Sequence, residues 1–385
     1  MTERLYYNDS YLRAFFARVV ETADDGRRVY LDKTLFYPSS GGQPFDVGTL
    51  GGTRVLDVID EGDRIAHLVE SPVKADEVSA ELDWARRFDH MQQHTGQHLL
   101  SAVLVELFQA ETVSFHMGSE VSTIDVTASS LSDAQLARAE DRANELIFEN
   151  RPVQISYADS QADLGLRKAS ERDGTLRIVS IENFDKSACG GTHVRSTGEI
   201  GLVLLRKTEK IRGTTRLEFV CGMRAVRRAR ADYRALAQIS RSFSAPIDET
   251  PALAAAQVEK AQDAEKARKR LAAELAEVRG RELYAATPEA ADGLRRIIEK
   301  TDIGEDQRVK AQAFIAGSKA VYLAVSETPP SVLFAVSPDS GLHAGNLVKA
   351  AVTAAGGRGG GNGTVAQGSV PDPAALPGVL AALGF

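Results

Sequence analysis

A multidomain α+β protein is predicted, and three features of the sequence predict it. Short alternating strands fill the first 85 or so residues, helices and strands mix over 86–222, and Ala- and Arg-rich helices then lead into a glycine-dense α/β stretch. At 385 residues the chain is too long for one ordinary core and should hold two or three domains. Hydrophobic residues at 43% and charged residues at 26% match the soluble globular average, which excludes a disordered or fibrous class. No stretch approaches the ~18 apolar residues of a membrane span; the nearest, Ala320 to Val336, is broken by Glu327-Thr328-Pro329-Pro330. The opening MTERLYYNDSYLRAFF lacks the basic and apolar regions of a secretory signal. Two cysteines make no disulfide framework, so a reducing, cytoplasmic location is expected. A formal charge of −7 confines any nucleic-acid binding to local patches.

The elements follow in order. Over 1–85, runs such as Arg28-Val29-Tyr30-Leu31 and Thr53 to Ile59 are separated by turn residues at Asp25-Gly26, Gly51-Gly52 and Glu61-Gly62-Asp63, the pattern of a small β-barrel or sandwich. Over 86–222, Gln92 to Phe108 is a helix with Leu99, Leu100, Val103, Leu104 and Leu107 along one stripe. Ser132 to Glu149 is a second, with Ser132 as N-cap and Pro152 beyond its end. Val121–Val126, Ile178–Ile181 and Arg216–Val220 are expected strands. Over 223–286, a basic helix from Met223 to Ser242 is broken at Ser244-Ala245-Pro246. A second begins at Thr250-Pro251 and runs to about Tyr284, with a short seam of Leu271, Leu275 and Val278, giving a helical arm. Over 287–385, strands at Ala320–Val325 and Val332–Val336 precede the glycine-dense segment and a last short helix.

Three of the seven histidines, His90, His94 and His98, fall within nine residues. Residues four apart share a helix face with Cβ atoms about 5–6 Å apart, so either HxxxH pair can converge on one ion. His98 leads into the well-formed helix, whereas His90 is expected at its frayed start. Downstream, Cys189-Gly190-Gly191-Thr192-His193 sets a thiolate and an imidazole four apart across two glycines. Two nitrogens from a helix with sulfur and nitrogen from a loop make a Cys-His₃ set suited to tetrahedral Zn²⁺. Cys221 is expected to be an inert buried thiol. Without the glutamate of HExxH the pair carries no built-in general base, which disfavours metalloprotease chemistry.

HTGQHLLSA with CGGTHV, preceded by YPSSGGQPFDVGTL, resembles the alanyl-tRNA editing proteins (AlaX) and the editing domain of alanyl-tRNA synthetase, over most of residues 1–222. The C-terminal Gly356-Gly357-Arg358-Gly359-Gly360-Gly361 followed by Ala366-Gln367-Gly368 is similar to the synthetase's glycine-rich, DHHA1-type domain. With no aminoacylation domain ahead of the barrel, the architecture resembles the long free-standing editing protein. The resemblance implies a zinc-containing editing domain over 86–222 and a DHHA1-like domain over 287–385. It also implies hydrolysis of mischarged tRNA(Ala), carrying serine or glycine, at the aminoacyl ester. His94, His98, Cys189 and His193 fall on the family's zinc positions. Zinc would activate water or polarise the ester carbonyl, or else hold the substrate's amino group.

In Val113-Ser114-Phe115-His116-Met117-Gly118-Ser119, His116 stands where the synthetase tends to carry glutamine and is expected to bind substrate or shuttle a proton. Thr112 and Ser114 are expected to hydrogen-bond the serine hydroxyl, the group by which such a pocket discriminates. These three are the expected catalytic residues. Gly41, Gly42 and Gln43 would form a loop approaching the CCA end.

From Lys186 to Arg230 eleven basic residues face only Glu199, Glu209 and Glu218, a local balance of +8. Arg212, Arg224, Arg227 and Arg228 of this segment, with Arg358 in the glycine stretch, are the expected tRNA contacts, through phosphates rather than bases. A homodimer through the helical arm or the C-terminal domain is an open alternative. Three rival functions stand beside editing of tRNA(Ala). One is a non-catalytic tRNA-binding protein with structural zinc, and another is editing of a different aminoacyl-tRNA such as Ser-tRNA(Thr). The third, a DHH phosphoesterase, would need an Asp-His-His that Asp89-His90-Met91 does not supply.

Overall fold

Alternation builds the N-terminal structure. In Glu77–Leu82 and Thr53–Asp60 every second or third side chain is buried, and the buried set converges with Phe15, Val29, Leu31, Phe36, Leu50 and Ile65 into one core. Six antiparallel strands close around it in the order Ala14–Ala23, Arg28–Leu31, Ile65–Val69, Thr53–Asp60, Gly48–Leu50, Glu77–Leu82. Closure selects a barrel from the two predicted alternatives and removes the sheet edges. Gly51 and Gly52, with φ of +58° and +81°, make the tight turn between two of these strands.

The computed structural model describes residues 1–161, 164–168 and 174–385. Its contacts divide the chain into Met1–Gln238 and Ile239–Phe385. In the first unit the barrel is followed by helix Trp84–Phe108, capped by the Asp83 side chain accepting from the Arg86 N–H at 3.0 Å. The helix begins eight residues before the expected Gln92, so His90 lies well inside it and is buried, not frayed. Helix Asp133–Phe148 starts at Ser132 with a full capping box to Gln135. These helices pack against an antiparallel sheet ordered Val203–Ile211, Thr214–Cys221, Ser122–Val126, Thr112–Met117 and a smaller one of Val153–Asp159, Thr175–Ile181 and Asp185–Ala188.

Arg87 ties the long helix to the barrel's loops. Its guanidinium, fully buried, pairs with buried Asp46 at 2.5 Å and donates to the carbonyls of Ser10 (3.0 Å) and Leu35 (2.5 Å).

In the second unit a 37-residue helix, Thr250–Ala286, is followed by a five-stranded sheet ordered Arg295–Lys300, Ala320–Glu327, Pro330–Val336, Val365–Ser369, Arg358–Gly361. Val321, Leu323 and Val325 face the Ala344–Ala354 and Leu376–Ala382 helices, whereas Ala320, Tyr322 and Ala324 face helix Glu305–Ile315. The two-residue period therefore builds two cores, one on each side of the sheet. Gly280 lets the long helix approach that last helix closely, since a Cβ there would stand 2.4 Å from the Lys310 carbonyl oxygen. Among the described residues no helix is long and apolar enough to cross a membrane.

Replacing Arg87 with methionine should leave the Asp46 carboxylate buried without its partner and cost about 3–5 kcal/mol. Urea unfolding should show this as a lowered midpoint, partly restored in Arg87→Met/Asp46→Leu; an unchanged midpoint would remove the pair from the stability of this unit.

Candidate metal centre

His94 and His98 lie one helical turn apart with ring centroids 5.3 Å apart, and His193 closes on both at 4.6 and 4.8 Å. Cys189 Sγ lies 3.4 Å from His94 Nε2 and 3.3 Å from His193 Nε2. One ligand atom from each of the four residues falls within 4.8 Å of all the others. Zinc bonds of about 2.0–2.3 Å in a tetrahedron put sulfur and nitrogen about 3.5 Å apart. Cys-His₃ is also the donor chemistry zinc takes, so the residues fit the ion.

The thiol loop can reach the helix only because it is bare. A Cβ on Gly191 would stand 2.2 Å from His94 Cε1, and the Gly191 N–H donates to Cys189 Sγ at 3.3 Å. Arg177 fixes the loop from below, its Nη1 donating to the carbonyls of Cys189 at 2.7 Å and Gly191 at 3.0 Å. Cys221, fully buried, has its thiol pushed up by burial and packs against Gly96, where a Cβ would stand 2.3 Å from Sγ.

Two of the three outer nitrogens have hydrogen-bond partners, whereas buried His98 Nδ1 has none and only faces a carboxylate. His94 Nδ1 bonds Gln43 Oε1 at 2.8 Å, His193 Nδ1 bonds Thr95 Oγ1 at 3.1 Å, and His98 Nδ1 faces Asp185 Oδ2 at 3.8 Å. Partners of this kind set the tautomer and aim of a metal-binding imidazole. Asp185 is itself held by Arg167 at 2.8 Å and by the Ser187 hydroxyl at 2.9 Å.

Burial alone would raise the Cys189 thiol, but the surrounding imidazoles overcome it and hold the group well below its ordinary value. Burial carries His193 down to about 3 even beside that thiolate. At His98 burial is outweighed by Cys189 and Asp185, which raise it to about 9. His90 is not among the converging ligands; burial, with Arg86 and Arg224 nearby, drives it down to about 3.

The expected substrate loop is only partly exposed. Gly41 faces solvent, whereas the Gly42 carbonyl accepts from the Met117 N–H at 3.0 Å, and a Cβ on Gly42 would stand 2.6 Å from the Phe115 carbonyl oxygen. Gln43 is buried, bonded to His94 and donating to the Thr192 hydroxyl at 2.9 Å. Its side chain therefore braces a ligand instead of reaching outward.

The expected catalytic trio separates. Phe115 turns its ring toward His94, with centroids 5.4 Å apart. Ser114 and His116, its neighbours on the strand, point to the opposite face, where the Ser114 hydroxyl donates to Asp125 at 2.7 Å. A bulge between the pairs Asp125–Ser114 and Val126–Thr112 puts Thr112 back on the helix side. There its hydroxyl bonds Ser101 at 2.6 Å, and Ser101 accepts from Gln97 Nε2 at 2.8 Å, continuing the helix face of His94 and His98.

The basic segment is less positive in space than in sequence. Arg224 is buried and pairs with Asp89 at 2.6 Å; Arg206 and Arg228 share Asp232, Arg216 pairs with Asp125 and Arg195 with Asp9. Arg212, at a hairpin tip with φ of +39°, and exposed Arg227 and Arg358 have no ion-pair partner among the described residues. Sequence reasoning did not find Gln43, Thr95, Asp185 and Arg177 as supports. Thr95 and Asp185 at least lie beside or near predicted ligands; Arg177 is brought there by the fold alone.

The chain is similar to known proteins in sequence. Residues 176–218 match the threonyl and alanyl tRNA synthetase second additional domain, and residues 306–384 match the DHHA1 domain. The chain is similar to alanyl-tRNA editing protein AlaX-L of Pyrococcus horikoshii, 39% identical over 59% of this chain and 59% of that protein. It is also similar to the alanine–tRNA ligase of Pyrococcus abyssi, 31% identical over 96% of this chain and 42% of the ligase. The chain thus spans less than two thirds of either relative. The C-Ala domain of Aquifex aeolicus alanyl-tRNA synthetase is a weak structural likeness, with a TM-score of 0.21 and 22% identity over 23% of this chain and 86% of that one. The resemblance carried by the two motifs extends, at the level of sequence, along nearly the whole chain.

Gln43→Leu should weaken zinc binding by about 10–100-fold while the four ligands remain, because a supporting hydrogen bond is lost. Competition with a chromophoric chelator measures this; unaltered affinity would show that the amide does not brace His94.

Proposed function

We propose that this protein is a hydrolase that removes serine, and glycine less readily, from mischarged tRNA(Ala) by cleaving the ester to the terminal ribose. The observation that carries the reading is the convergence of His94, His98, Cys189 and His193 within 4.8 Å in a chain similar to AlaX-L. These four residues would hold Zn²⁺. A bound zinc ion supplies Lewis acidity there, able to polarise a carbonyl or to anchor an amine.

The chain's own residues do the rest. Gln43, Thr95 and Asp185 hold the imidazoles in place, and Phe115 covers His94 and keeps bulk water from that side. The hydroxyls of Ser101 and Thr112, on the same helix side, offer polar partners to a substrate hydroxyl. A site built to hydrogen-bond a hydroxyl rejects the analogue lacking it by several orders of magnitude, which is how serine would be told from alanine. Phosphate contacts by Arg212 and Arg227 would add affinity without sequence readout.

A second reading has its own support. Four protein donors already complete a tetrahedron, the closed form of structural zinc. The protein would then bind tRNA without cleaving it.

Pure protein incubated with Ser-, Gly- and Ala-tRNA(Ala) should release serine fastest and alanine slowest, with His98→Ala inactive and still folded in its C-terminal unit. Ser-tRNA(Thr) serves as the control for a different tRNA. Chelation should abolish turnover with the circular dichroism of the protein largely kept. Loss of the fold on chelation, together with no release by the loaded protein, would favour the structural reading.

A further inference from the structure

Four protein donors fill a tetrahedron, whereas a hydrolytic site needs a place for its substrate. One donor must give way, and the four are not held alike. The imidazoles are locked: His94, His98 and His193 are each no more than 5% exposed. His94 is wedged against the thiol loop, where a Cβ on Gly191 would stand 2.2 Å from its Cε1, and its Nδ1 bonds Gln43 at 2.8 Å. His193 is pinned through Nδ1 by the Thr95 hydroxyl at 3.1 Å, and His98 is enclosed with its Nδ1 toward Asp185. Turning any of these rings would displace close-packed neighbours.

Cys189 is the one donor of the four that is partly exposed. A single residue clamps its main chain from both sides. The Cys189 N–H donates to the Arg177 carbonyl at 3.0 Å, and the Cys189 carbonyl accepts from Arg177 Nη1 at 2.7 Å. Its sulfur is held far more lightly. Outside the cluster, and among the described residues, it has only the Gly191 N–H at 3.3 Å, a contact to a weak acceptor. Room remains beside it: a Cβ on neighbouring Gly190 would meet only Tyr7, with the hydroxyl oxygen 3.6 Å away. A fixed backbone and a lightly held sulfur allow rotation about Cα–Cβ into another staggered position while the loop stays in place.

We infer that Cys189 is the displaceable ligand of this centre. It closes the site at rest, and its side chain swings away when the acylated end of the tRNA arrives, vacating one corner of the tetrahedron to the substrate. The sulfur leaves with its electron pair, as a thiolate, and the exchange transfers no proton. His94, His98 and His193 remain as a rigid base, the three-histidine arrangement that keeps one position open in catalytic zinc sites. The inference rests on the proposed hydrolysis, since only a site that must admit a substrate has to open.

Cobalt in place of zinc makes the sulfur visible, because a cobalt–thiolate bond absorbs in the near ultraviolet. The band should be present in cobalt-loaded protein and missing from Cys189→Ala, which assigns it to this thiol and not to buried Cys221. Titration with tRNA(Ala) carrying serine through a non-hydrolysable 3′-amide should remove most of the band at saturation, with the cobalt content unchanged. Uncharged tRNA(Ala) should leave it intact. A band that keeps its full intensity with the amide bound, or one that uncharged tRNA removes equally, would overturn the assignment. Serine release from Ser-tRNA(Ala) with the band kept would overturn the mobile ligand and leave the hydrolase. Loss of the band by a protein that never releases serine would overturn the hydrolase and leave the mobile ligand, and failure of both tRNAs to bind would overturn both.

Discussion

The organisation of the first unit depends on one constraint: three buried imidazoles and a half-buried thiol with their ligand atoms inside 4.8 Å must be held together without colliding. Buried charge is tolerated only when paired and hydrogen-bonded. The surroundings supply this from several directions at once. The helix fixes two imidazoles by its own pitch, the bare glycine loop brings the thiol, Arg177 ties the loop's carbonyls, Gln43 and Thr95 hydrogen-bond two outer nitrogens, and Asp185 faces the third at 3.8 Å. Each comes from a different segment of sequence. The site is therefore a property of the assembled unit, and the HxxxH and CxxxH motifs are its visible part.

That division explains what the sequence disclosed. Motif spacing located the four converging residues because helical periodicity and paired glycines are local rules. The barrel's strands were legible for the same reason, through alternation and turn residues. Strands Val153–Asp159 and Val203–Ile211 went unrecognised because each is an edge strand with many polar, exposed side chains, and so shows little hydrophobic pattern. The helix start was placed too late because Arg86, Arg87, Asp89 and His90 masked the helical spacing of Trp84, Phe88 and Met91, and Arg87 is buried there by partners far away in sequence.

Two further departures have equally specific causes. Thr112, Ser114 and His116 are spaced by two, which in a regular strand would set all three on one face. The extra residue at Val113 breaks that phase, sending Thr112 toward the helix and the others away. Linear charge counting likewise overstated the basic patch. Asp89, Asp125, Asp232 and Asp9 lie outside the segment that was counted, yet each pairs with one or more of its arginines. Net charge over a stretch of chain measures supply, and only the fold shows how much remains for a ligand.

The reach of Gln43 from a barrel-side loop into the cluster bears on modularity. One amide group connects the barrel side, the histidine helix and the thiol loop, bonding His94 and Thr192 together, while the next turn of the same loop supplies Asp46 to Arg87. The barrel is consequently no detachable appendage. Recombination that grafted the helix and thiol loop alone onto another scaffold would carry the ligands but lose the brace and strand a buried guanidinium. The span of this one side chain thus makes the barrel-side loop part of the centre's support.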